Sequence, residues 1–122
     1  MEFIVHKPLT IYYTGLGAKI TASSGRPDQV AKAEVYYRTN SSSAWTMQPM
    51  VRNGSQWEYF IPPTVIDGVS SFQYIVKFTR VKNDESNPID GNYATRPVSE
   101  ASTLPSVPYT VYKYGAGAAT NK

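Results

Sequence analysis

The chain has 122 residues, with 12 Lys plus Arg, 9 Asp plus Glu and one His, a formal net charge of +3. That length points to one domain, and the mild, scattered basicity is not the clustered excess that nucleic-acid binding needs. The absence of Cys excludes a disulfide framework, a thiolate metal site and a Cys nucleophile, and a single His leaves a His-based metal cage or a Ser-His-Asp triad hard to build.

No apolar run approaches the roughly 20 residues that span a bilayer. The start, Met1-Glu2-Phe3-Ile4-Val5-His6-Lys7-Pro8, lacks the basic opening and long apolar stretch of a secretory signal. Two settings fit this start: a cytoplasmic protein that begins at Met1, or a domain excised from a larger extracellular one. His6, alone and near a terminus, reads as a surface or capping residue, since catalysis would need a positioned partner.

Nine Pro and eight Gly punctuate the chain, and no stretch keeps a 3.6-residue apolar repeat over three turns, so strands are expected throughout. In chain order, residues 3–5, 9–13 and 18–22 are weak strand candidates. Residues 33–39 alternate cleanly, with Ala33, Val35 and Tyr37 opposing Glu34, Tyr36 and Arg38. A polar loop, Thr39-Asn40-Ser41-Ser42-Ser43, precedes a weaker candidate over residues 45–50. Arg52-Asn53-Gly54-Ser55 predicts a hairpin turn with Asn53 and Gly54 both at positive φ. Residues 56–61 set Trp57, Tyr59 and Ile61 on one face, which points Trp57 to the core with Ile61, and Pro62-Pro63 end that strand. Phe72, Tyr74, Val76 and Phe78 share a face of residues 72–79. The polar stretch 81–97 reads as a long loop, the kind of segment that tends to carry function. Residues 107–112 form a last strand, with Val107, Tyr109 and Val111 facing one way. About seven strands spaced by turn signals predict an all-β fold, a two-sheet antiparallel immunoglobulin-like β-sandwich over residues 1–114. The small residues 115–122 predict a flexible tail.

Four runs share a grammar: Val35-Tyr36-Tyr37-Arg38, then Trp45-Thr46-Met47-Gln48-Pro49-Met50, then Gly54 to Pro62, then Phe72-Gln73-Tyr74-Ile75-Val76. This pattern, over about residues 30–95, resembles the immunoglobulin-like modules that flank glycan-active enzymes, starch-binding modules included. Starch-binding members add a Trp-Asp-Asn-Asn motif followed by Asn-Tyr. Here the matching stretch is Pro88-Ile89-Asp90-Gly91-Asn92-Tyr93, which keeps Asp90, Asn92 and Tyr93 and lacks the Trp.

Ten Tyr and two Trp offer ring faces on which a pyranose could lie, and Asn and Asp side chains can hydrogen-bond its hydroxyls. The expected carbohydrate-binding set is Trp45 as stacking platform with Tyr36, Asp90, Asn92, Tyr93 and Asn83. The other reading of Trp45, and the more common outcome for such a residue, is a half-buried Trp packing over the sandwich edge. The expected function is a non-catalytic carbohydrate-binding domain or lectin, with no cofactor, no metal, and neither nucleic acid nor membrane as partner. The alternative is an immunoglobulin-like structural or protein-interaction module, with homo-oligomers among its forms, because one superfold serves many roles.

Overall fold

Period-2 alternation gives each strand one apolar face, and two sheets bury those faces against each other. The computed structural model describes residues 3–40, 42–81, 89–97 and 107–114, with the side chains of residues 89–92 set aside. Among them run β1 (Ile11–Tyr12), β2 (Ala18–Ser23), β3 (Val30–Arg38), β4 (Thr46–Pro49), β5 (Val51–Asn53), β6 (Gln56–Ile61), a short helix α1 (Pro63–Ile66), β7 (Ser71–Val81), β8 (Ile89–Arg96) and β9 (Tyr109–Lys113). The larger sheet has the order β1-β9-β7-β3-β4, with β8 also on β7, and the smaller has the order β2-β6-β5. β8 and β9 occupy successive stretches of the same edge of β7, with Arg96 opposite Val76 and Tyr109 opposite Tyr74. With β3, β7 and β9 central to one layer and β2, β6 and β5 making the other, this is an immunoglobulin-like sandwich.

The inward faces expected from alternation form one core. Val35, Phe72, Tyr74, Val76, Phe78 and Val111 from the larger sheet meet Ile20, Trp57 and Ile61 from the smaller. Aromatic pairs cross the gap: Trp57 sits 5.3 Å from Phe78, and Tyr37 stacks on Tyr59 at 6.0 Å between centroids. Each such pair adds about 0.5–1.5 kcal/mol beyond the area it buries. Trp57 is 6% exposed, so it is a core residue.

Four local readings change. Residues 45–50 are not one strand, because the chain leaves the larger sheet after Pro49 and enters the smaller one at Val51. Met50 is buried at that crossing, and its N–H donates to the Ala33 carbonyl at 2.8 Å. The hairpin is shifted by one residue: Asn53 faces Gln56, so Gly54 and Ser55 are central. Gly54 has φ 65° and Asn53 is not at positive φ, which is the type II′ arrangement with Gly first. The polar stretch 81–97 contains the strand β8, Ile89–Arg96. Its Asp90, Gly91 and Asn92 have low β-propensity and fall at an irregularity of the ladder, between the Thr79–Tyr93 and Val81–Ile89 pairs, while Tyr93 to Arg96 pair regularly with Thr79 to Val76. The last strand begins at Tyr109 and not Val107. The tail 115–122 and Asn83 lie outside the described residues.

His6 is not a surface residue. It ties the N-terminal segment to both sheets. Its Nδ1 lies 2.7 Å from the Thr21 carbonyl, which can only accept, so Nδ1 carries the proton. Nε2 is therefore the acceptor of the Tyr74 hydroxyl at 2.7 Å, and the Tyr74 oxygen accepts the Leu9 N–H at 2.9 Å. Burial holds the His6 pKa below its usual 6.5, the nearby Arg96 charge adds to this, and the Thr21 bond opposes it. Burial also raises the Tyr74 pKa, so both groups stay neutral. Tyr12 makes a second tie, its hydroxyl lying 2.9 Å from the Ile66 carbonyl and 2.6 Å from that of Val69.

An unfolded His6 titrates near 6.5, and the folded one titrates lower. As pH falls below 6.5 the unfolded chain takes up a proton that the folded chain resists, so stability drops in that window and is fully present above it. The urea midpoint should therefore fall between pH 7 and about pH 5.5, and His6→Ala should remove that slope. At pH 7 the same variant should lose about 2 kcal/mol, because it leaves the Thr21 carbonyl and Tyr74 hydroxyl without their partner. A wild-type midpoint that stays level across the window would contradict this assignment.

Candidate functional site

The register of the core also sets what the larger sheet shows on its outer face. Phe72 and Tyr74 point inward, so Ser71, Gln73 and Ile75 point outward. Across the ladder Arg38 lies opposite Gln73, Gln73 opposite Thr110, and Ser71 opposite Tyr112. Beside this row an open cleft of about 590 Å³ is lined by Thr39 and Asn40 from the turn after β3, Ser70, Ser71 and Gln73 from β7 and its approach, and Thr110 and Tyr112 from β9. These groups are hydroxyls and amides with one phenol ring as a wall; Val69 and Phe72 complete the lining, which has no formal charge. Tyr112 is 53% exposed.

The amides of the cleft are oriented. Arg38 Nε donates to Gln73 Oε1 at 2.8 Å. Arginine has no acceptor, so the Gln73 oxygen must face it and the Nε2 amino group is left for other partners. Asn40 Oδ1 accepts two bonds, from the Ser42 N–H at 2.8 Å and the Ser42 hydroxyl at 2.7 Å, within one tight polar turn. Both of its lone pairs are used, and its amino group remains. Arg38 is fixed a second time, with its guanidinium carbon 4.0 Å from the centroid of the Trp45 ring. Such a contact contributes about 0.5–1 kcal/mol at an exposed site.

Of the six expected site residues, Trp45, Tyr36 and Tyr93 share the outer side of the larger sheet, in two groups. Trp45 is half-buried just before β4 and carries Arg38 on its ring. Tyr36 on β3 and Tyr93 on β8 are half-buried around Lys77, whose Nζ lies 5.8 Å from the Tyr36 centroid and 4.3 Å from that of Tyr93. Their rings therefore already meet a cation. The sheet beneath is dry: Ile75, opposite Tyr36, is fully buried, and Glu34, Thr79 and Thr95 are nearly so. Asp90 and Asn92 are placed on β8 by its backbone, and Asn83 is outside the described residues.

Gln73, Thr110 and Tyr112 were absent from the expected set. Their outward direction was readable from alternation. Their convergence with Asn40 was not, because it depends on which strands flank β7. No protein-family model matches the chain, and a search of curated proteins returns no match.

The two indoles should respond differently to truncation. Trp57→Ala empties a core site and should cost about 3–5 kcal/mol in chemical denaturation. Trp45→Ala loses an edge contact and should cost about 1 kcal/mol or less. The reverse order would contradict the placement of both residues.

Proposed function

We propose that this domain is a non-catalytic glycan-binding module whose ligand lies in the cleft on the outer face of the larger sheet. The observation that supports it is the lining. A sugar hydroxyl both donates and accepts, and the hydroxyls of Thr39, Ser70, Ser71 and Thr110 can do either in return. The Asn40 and Gln73 amino groups supply directed donors. The Tyr112 ring gives an apolar wall against which the CH face of a pyranose can shed water. Shallow, neutral and open to solvent, the cleft suits an extended polyhydroxylated chain. The resemblance to immunoglobulin-like modules of glycan-active enzymes agrees with this reading.

A glycan array probed with the multivalent protein should show binding. Tyr112→Ala should weaken it by about tenfold or more, the scale of losing one ring contact and its burial, with the far-UV spectrum unchanged. Full binding by that variant would place the ligand elsewhere, and an array without signal would contradict the reading.

A second reading rests on a separate observation. Ile11, Tyr13, Tyr112 and Tyr114 are each at least 40% exposed along the β1–β9 edge, and the Tyr13 and Tyr114 rings lie 5.3 Å apart. An exposed strip rich in Tyr also suits a protein interface, self-association included. Sedimentation velocity over a wide concentration range separates the two: association that Tyr13→Ser or Tyr114→Ser abolishes would favour this reading, and a monomer throughout would count against self-association.

A further inference from the structure

The cleft is biased toward donors at one end, and the bias has a chemical consequence. Asn40 offers an amino group because its oxygen is saturated by Ser42, and Gln73 does so because its oxygen faces Arg38. Arg38 itself uses only Nε. Among the described residues its two terminal amino groups have no hydrogen-bond or ion-pair partner. Yet the guanidinium is held in place by the Trp45 ring below it and by Gln73 beside it. A half-buried fork of donors, immobilised in advance and lacking a carboxylate partner, loses little further freedom on binding.

We propose that Arg38 is the recognition site for a carboxylate on the bound glycan, so that the ligands are acidic sugars, of the uronic or sialic class, and not neutral ones. This rests on the glycan reading above and deepens it. The carboxylate would accept two parallel bonds from the Arg38 terminal amino groups, while the rest of the sugar lies toward Gln73, Thr110 and Tyr112. Arg38, Gln73 and Thr110 stand on three adjacent strands, β3, β7 and β9, the outer two of which lie about 10 Å apart at two strand spacings. Lysine could not substitute, since it lacks both the planar stack on Trp45 and the fork.

The test is an array of uronic- and sialic-acid glycans, each printed beside its carboxylate methyl ester, read with wild type, Arg38→Gln and Gln73→Glu. Wild type should favour the acids by about tenfold or more, less so at high salt. Arg38→Gln should erase the ratio of acid to ester. Gln73→Glu, which leaves Arg38 in place but gives it an internal carboxylate, should erase it as well. Equal binding of acid and ester by wild type would overturn the carboxylate assignment and leave the glycan reading standing. So would a preference that survives in both variants, whose folding is checked by near-UV circular dichroism. No binding to any member would overturn the glycan reading and this inference together.

Discussion

The alternation of β7 governs both faces of the larger sheet. Its eleven residues pair with β3 along one edge and with β8 and β9 along the other. Burying Phe72, Tyr74, Val76 and Phe78 forces Gln73, Ile75, Lys77 and Thr79 to the opposite side. A slip of one residue would exchange the two sets, and the apolar side chains on the inner face make that slip costly, at about 1.5–3 kcal/mol for each large residue exposed. The position of Gln73 between Arg38 and Thr110 is thus a by-product of core packing. The strand part of the cleft inherits its precision from the interior, and the turn after β3 adds Asn40, oriented by Ser42.

The polar ties around this core obey the same logic at smaller scale. Leu9, Tyr74, His6 and Thr21 form a linear chain in which each donor meets one acceptor. Such a chain fixes a tautomer and, with burial, disfavours a second proton on His6. Tyr12 plays a comparable part at the other end, anchoring the edge strand to the Ile66 carbonyl at the end of α1 and the Val69 carbonyl beyond it. Gly17, with φ 67°, lies so close to the Ile61 carbonyl and the Phe60 ring that a Cβ would fall 2.5 Å and 2.6 Å from them. The turn that brings the chain from β1 into β2 therefore depends on a residue without a side chain.

Much of the fold was legible because the strands with two clear faces, β3, β6, β7 and the later part of β9, carry their direction in their own alternation. The sandwich class and the core position of Trp57 followed from that signal. What was hidden depends on pairing between distant segments. β8 reads as a polar loop, since Asp90, Gly91 and Asn92 disfavour strands, and it is Tyr93 to Arg96 that pair regularly with β7. The change of sheet at Met50 has no local mark, because a buried Met fits a strand as well as a crossing. His6 looked like a surface residue, and only the fold brings Tyr74 to it.

The candidate site was legible only in part. Aromatic rings with amides and carboxylates were expected, and the cleft has hydroxyls where carboxylates were foreseen; Trp45 stands on the same side of the sheet, with Arg38 over its ring. Tyr36 and Tyr93, also expected there, meet Lys77 instead. The most direct test of the account is amide chemical-shift mapping of the ¹⁵N-labelled protein against a glycan it binds. The shifts should centre on Thr39, Asn40, Ser71, Gln73, Thr110 and Tyr112 and extend to the Arg38 Nε–H. Shifts centred instead on the outer side of β2, β6 and β5 would contradict it.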